Sequence, residues 1–297
     1  MKIVHKIIIL TLLGFASFAQ SAVQNQYQFN YLSLNPAFAG SKDAFGMTAI
    51  LGNQFNSTPR PLQVSQIFST DGTVQEGRGG VGFQAFNSTV NSISFKGIDF
   101  SYAYRIELSE DTKLAIGVDG GFLFDPVVGL SESSRFKSYF GTGLLLQNTR
   151  YFVSVAKPTL LSKQSSISSS GNPLISMIGV SLGDVERTSL NVSALVGINK
   201  GFGNYWHLNA KMWLGQKIGL GASFRNTGTD GFSNSSSKLI YQFEYQVSTT
   251  FRIGASLDTK YQINSFTGTS NQSAKLLQLM LRFEPNFEGE RNSMSFY

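Results

Sequence analysis

Residues 98–107 alternate without a break, with Ile98, Phe100, Tyr102, Tyr104 and Ile106 on one side and Asp99, Ser101, Ala103, Arg105 and Glu107 on the other. Side chains along a strand point to opposite faces with period two, so this stretch predicts a strand with one apolar face and one polar, charged face. The pattern recurs down the chain. Leu239, Tyr241, Phe243, Tyr245 and Val247 alternate with Ile240, Gln242, Glu244 and Gln246. Phe251, Ile253, Ala255 and Leu257 alternate with Arg252, Gly254, Ser256 and Asp258, and the segments from Leu114 and Ile218 behave alike.

Alternation fits two architectures. In a soluble sandwich the apolar face is the core and the polar face meets water. In a transmembrane barrel the apolar face meets lipid and the polar face lines the lumen. Strand length favours the barrel, because the segments run about 9 to 13 residues, near what a tilted strand needs to cross a bilayer. Tyr104, Tyr151, Trp206, Trp213 and Tyr261 fall near segment ends, where interfacial aromatics belong. Small residues such as Gly117, Gly219, Gly221 and Gly254 fall on the inner face.

Composition agrees: Phe 25, Tyr 11, Gly 30 and Cys 0, with 14% charged residues and a mean hydropathy of −0.03. Beyond residue 19 there is no apolar run of the ~18 residues that a spanning helix needs. An exported chain without disulfides needs another source of stability, and a closed sheet supplies it. The expected fold is therefore all-β: a transmembrane antiparallel β-barrel of about fourteen strands with a short N-terminal plug or rim segment. The expected spans are 44–55, 62–70, 79–88, 93–107, 112–124, 135–147, 150–157, 174–183, 189–199, 204–214, 216–225, 238–247, 249–261 and 275–284. Ser-, Asn- and Gly-rich connections are expected at 158–173, 226–237 and 262–274.

Four regions follow. Residues 1–19 have the layout of a signal peptide: Lys2, His5 and Lys6, then the apolar run from Ile7 to Phe15, then the small-residue site ending at Ala19. Residues 20–43 are an N-terminal leader or plug, 44–284 the barrel and 285–297 a C-terminal tail. The Asn35-Pro36 to Gly40 segment is either an extended leader or a plug, and its apolar character in a polar stretch favours burial. The last strand carries an outer stripe of Leu277, Leu279, Leu281 and Phe283. Its terminal aromatic and the chain end at Phe296-Tyr297 are rival candidates for an assembly signal.

Several short motifs, taken in order, resemble one family. Leu34-Asn35-Pro36-Ala37-Phe38-Ala39-Gly40-Ser41, Asn53-Gln54-Phe55, Tyr102-Ala103-Tyr104-Arg105-Ile106 with Lys113-Leu114-Ala115-Ile116-Gly117, and Arg150 to Pro158-Thr159-Leu160-Leu161 are similar to elements of the PorP/SprF family of type IX secretion membrane proteins of the Bacteroidota. The resemblance implies a fourteen-stranded outer-membrane barrel of the secretion and gliding apparatus. It also implies, as partners, periplasmic secretion components or the C-terminal domain of a large secreted adhesin. Asn35, Pro36, Ala37, Phe38, Gly40, Asn53, Gln54, Tyr104, Arg105 and Pro158 are its expected structural positions.

Little here points to chemistry. Beyond the signal peptide His207 is the remaining histidine, and no nucleophile motif accompanies it. No metal-ligand spacing and no cofactor motif is present, and Gly77-Arg78-Gly79-Gly80 reads as a turn opening the third strand. The net charge of +6 is spread along the chain, which argues against nucleic-acid binding. Asp99, Arg105, Asp119, Glu244, Arg252, Asp258 and Arg282 fall on the lumen side, where they either pair into a network or line a path. The expected function is non-enzymatic: an outer-membrane component acting through protein contacts, with outer-membrane lipid around it. A diffusion channel or hydrophobic-solute transporter is the alternative.

Overall fold

The computed structural model describes residues 27–55, 63–90, 93–126, 134–162, 173–184, 187–198, 204–227, 236–263 and 272–285. The expected signal peptide and nearly all of the tail lie outside the described residues. Fourteen strands are formed: β1 (Gly46–Phe55), β2 (Gln63–Val74), β3 (Gly79–Val90), β4 (Ile93–Ser109), β5 (Thr112–Pro126), β6 (Ser134–Asn148), β7 (Tyr151–Ser162), β8 (Leu174–Asp184), β9 (Thr188–Ile198), β10 (Tyr205–Leu214), β11 (Ile218–Thr227), β12 (Ser236–Gln246), β13 (Phe251–Ile263) and β14 (Gln272–Phe283). Each pairs antiparallel with its neighbours in sequence, and β1 closes on β14 from Met47↔Phe283 to Phe55↔Lys275. Closure leaves no edge strand, so the ladder satisfies the backbone groups that lipid would leave unpaired.

Short turns connect β2–β3, β4–β5, β6–β7, β8–β9, β10–β11 and β12–β13 at the rim where β1 begins and β14 ends. Two are built from left-handed residues: Glu76 and Gly77 in the turn closed by Arg78 N–H on Gln75 C=O, and Gly215 and Gln216 in the turn closed by Lys217 N–H on Leu214 C=O. Short turns mark the periplasmic rim of such barrels.

The outward face is an apolar belt, with Phe100, Tyr104, Ile116, Leu144, Ile178, Leu208, Leu220, Phe243 and Leu279 exposed around the circumference. Tyr104, Tyr151 and Trp206 stand in it. Trp213 does not: it is buried inside the lumen, because Lys211 and Arg252 hold its ring from within, at 5.4 and 4.6 Å from the centroid. The side chain of Tyr261 lies outside the described residues.

Several strands run further than the sequence suggests, β2 and β7 the furthest. β2 continues through Asp71-Gly72 because both pair with β3, opposite Gly82 and Val81. β7 continues through Pro158 because the ladder with β6 shifts register there, between Phe140 and Thr142, and a bulge absorbs the missing N–H. The connection expected at 158–173 therefore begins beyond Ser162.

The inner wall is polar in part only. Leu145, Phe152, Ile175, Met177, Leu195 and Tyr205, from β6 to β10, point inward and form a buried apolar sector. A water-filled lumen would not tolerate such a surface. It is covered by the N-terminal segment.

Candidate functional site

Residues 27–43 pass through the interior as a plug, with Tyr27, Phe29, Leu34, Asn35, Ala37, Phe38 and Ala39 nearly without exposure. Two 3-10 turns, Tyr31–Ser33 and Pro36–Phe38, give it shape. The second follows from its sequence. Asn35 is extended and its Oδ1 accepts from Ala37 N–H at 2.9 Å, while Pro36 takes the first helical position, where no N–H is needed. The chain then reverses at Gly40, whose φ of +62° suits glycine, and its N–H donates to Asp71 Oδ2 at 3.0 Å.

The wall is cut to fit this turn. A Cβ on Gly117 of β5 would collide with the backbone of Pro36 and Ala37. One on Gly143 of β6 would collide with the Asn35 amide, and one on Gly80 of β3 with the Ala39 carbonyl. Gly82 leaves room for Leu32. Asn35 Nδ2 then donates to the Leu144 carbonyl at 3.0 Å, so its side chain caps its own turn and pins it to β6. From β4, Arg105 donates to the Ala39 carbonyl and also to Gly77 O at 3.2 Å and Gly79 O at 3.1 Å, tying the plug to the β2–β3 turn. These are charge-assisted bonds in a buried setting, the stronger class.

Aromatic packing fills the rest. Tyr31 stacks on Phe38 with centroids 5.2 Å apart, and both meet the edge of Phe152, at 5.8 and 5.6 Å. Tyr27 lies between His207 (5.5 Å) and the Arg225 guanidinium (5.4 Å), and Gln28 donates to Ser223 Oγ. On the far side Phe29 packs with Ile50, Ile67 and Met280. The plug thus reaches wall residues on opposite sides of the lumen.

At the periplasmic rim the plug is held by charge. Lys42 lies 3.9 Å from both Asp71 and Glu284, Asp43 is paired with Lys113 at 3.1 Å, and Glu284 is paired with Arg282. Burial pushes the Lys42 amine down to about 8, with the nearby Arg282 adding to the effect against Asp71 and Glu284. Burial alone would raise the Glu284 carboxyl, but Arg282, Lys42 and Arg252 outweigh it and hold it at about 2.

Glu244 accepts from Lys211 at 2.8 Å and lies 3.5 Å from Arg252. Asp99 is inward too, but its bonds come from the hydroxyls of Ser101, at 3.1 Å, and Tyr139. Asp119 and Asp258 share the inner face. Among the described residues, these ion pairs lie at the rim and around Glu244.

The structure brings Asn35, Pro36, Ala37, Phe38, Gly40 and Arg105 into one junction. Gln54 is buried on the inner face of β1, while Asn53 and Tyr104 face outward and Pro158 sits at the β7 bulge. Sequence reasoning missed Gly80, Gly143, Phe152, Asp71 and Lys42 as parts of the junction; inward position on a strand was the signal for Gly80, Gly143 and Phe152, while Asp71 lay beyond the expected span and Lys42 lies on no strand. His207 is buried, with the rings of Tyr27 and Tyr205 each 5.5 Å from its own. Among the described residues no group of three His, Cys, Asp or Glu side chains is placed to hold a metal ion.

The family described as type IX secretion system membrane protein PorP/SprF matches residues 16–283. The chain belongs to this family. Its PorP/SprF barrel is an outer-membrane protein, and the matched span takes in the whole plug and all fourteen strands. A search of curated proteins finds no match. Among solved structures it resembles the Acinetobacter baumannii outer membrane protein Omp33 (TM-score 0.53, 9% identity, covering 83% of this chain and 100% of that one). It also resembles the TodX deltaS2S3 mutant monoaromatic hydrocarbon channel (TM-score 0.50, 10% identity, covering 89% and 94%). At such identities the likeness is one of fold.

Proposed function

We propose that this PorP/SprF barrel is a non-enzymatic component of type IX secretion that supports the export or surface attachment of a large secreted adhesin through protein contacts. The observation that carries this reading is the fixed plug. Its turn is seated on Gly80, Gly117 and Gly143 and tied by Arg105, so the lumen is occupied by the chain itself. A barrel filled in this way offers its two rims as working surfaces, and these present the loops and turns that partner proteins can grip. The adhesin's C-terminal domain and periplasmic secretion components are the partners in view. A tagged copy extracted in mild detergent from its native outer membrane, with bound proteins identified by mass spectrometry, tests this. Recovery of a large secreted protein or of periplasmic secretion components supports the reading. Recovery of the barrel alone, where a known complex survives the same extraction, overturns it in favour of a channel.

A further inference from the structure

The lipid-facing belt carries single polar residues at several places, such as Lys157 on β7 and Asn226 on β11, but gathers them over one arc. On β5, β8, β9, β10 and β12 the outward residues toward the extracellular rim are Phe124, Leu174, Ile198, Trp206 and Leu239. From β14 to β4 they are Lys275, Asn53, Gln66, Asn87 and Lys96. Gln66 pairs across the sheet with Asn87, and Asn87 with Lys96, so three polar residues stand side by side in one register row. The Asn87 amide donates to Gln66 Oε1 at 3.3 Å. Lys275 stands opposite Phe55 at the same end of β1.

Hydrocarbon gives these groups nothing to bond. A lysine on the lipid face is costly at the midplane and cheap only near the interface. The arc is therefore matched to a polar, negatively charged layer. Neighbouring strands lie about 4.8 Å apart, and Lys275 stands four residues along β14 from Leu279, the residue in the register row of Lys96, so the two lysines are about 23 Å from each other across the sheet. One phospholipid phosphate meets one lysine at most. A phosphorylated disaccharide headgroup meets both the cations and the amides between them, which can bond sugar hydroxyls and amide-linked acyl chains.

We infer that the outward arc formed by Lys275, Asn53, Gln66, Asn87 and Lys96 binds the phosphorylated glycolipid headgroup of the outer leaflet, of the lipid A type. The lysines pair with its acidic groups, the amides bond the sugar, and the apolar belt below receives the acyl chains.

The test uses the full-length barrel, delipidated and then returned to phosphatidylethanolamine vesicles containing lipid A or, separately, phosphatidylglycerol. Bound lipid is counted by native mass spectrometry. The wild type retains lipid A in preference to phosphatidylglycerol. K96A/K275A retains it about thirtyfold less tightly, and K96R/K275R keeps most of the affinity. Lys217→Glu, at the opposite rim, leaves retention unchanged. Heat-modifiable migration on gels verifies that each variant is folded. Equal retention of phosphatidylglycerol, or undiminished lipid A on folded K96A/K275A, overturns the assignment. So does recovery of a partner protein whose binding K96A/K275A abolishes while lipid A retention is unchanged.

Discussion

The Arg105 guanidinium on β4 donates to the Ala39 carbonyl of the plug, from sites distant in sequence, and also holds the carbonyls of Gly77 and Gly79. Its removal leaves those buried acceptors without their charged donor. Arg105→Ala is expected to destabilise the folded barrel by about 3 kcal/mol. Arg105→Lys should recover only a fraction, since an ammonium cannot present the same planar fork. Urea titration, followed by loss of the heat-modifiable band, measures both. A fully stable Arg105→Ala barrel counts against the tie.

The glycine socket makes a sharper contrast. A methyl at Gly117 meets plug backbone, whereas at Gly143 it meets the end of the Asn35 side chain. Gly117→Ala is expected to cost about 3 kcal/mol and Gly143→Ala less, by roughly 1 kcal/mol, because a side chain yields more easily than backbone. Gly120→Ala, facing outward with Tyr139 O 3.8 Å away, should be neutral within about 0.5 kcal/mol. The same titration separates the three, and indistinguishable midpoints would contradict the socket.

Asn35 both caps its own turn and donates to Leu144 O. Asn35→Asp keeps the cap and loses the donation, while Asn35→Ala loses both. The expected order of stability is wild type, then Ala, about 2 kcal/mol below it, then Asp, whose buried carboxylate faces the Leu144 carbonyl. Protease protection of the plug should fall in the same order. Asn35→Asp as stable as wild type would show that the donation to Leu144 contributes nothing.

The rim is acid-sensitive in a defined direction. The Glu284 carboxyl is held at about 2, below its ordinary value of 4.5, so its stabilisation is present above pH 4.5 and lost as pH falls from there toward 2. Lys42, lowered to about 8 from 10.5, carries a cost below pH 8 that is relieved as pH rises toward 10.5. Glu284→Gln is therefore expected to flatten the acid limb of the stability profile. A profile unchanged by that substitution removes Glu284 from the lock.

Much of the barrel is legible in the chain because β4, β12 and β13 have one apolar and one polar face. From β6 to β10 the two faces are harder to tell apart, since inward Leu145, Ile175 and Leu195 are as apolar as outward Leu144, Ile178 and Val196. Period-two reasoning needs contrast, and the plug removes it by covering that wall. Trp213 misled for a related reason: an aromatic near a strand end looks interfacial until cations are found beneath it. The plug's apolar, proline-bounded motif was visible, yet its partners were not. Gly80, Gly117 and Gly143 have no common spacing, and only the register of β3, β5 and β6 brings them under one turn.

Single-barrel conductance in planar bilayers tests the central claim, that the chain's own plug closes the lumen, most directly. The account predicts that the wild type stays closed across the voltage range, while Gly117→Ala and Arg105→Ala, if inserted and folded, show openings as the plug loosens. Steady conductance by the wild-type barrel, unchanged in both variants, would contradict it.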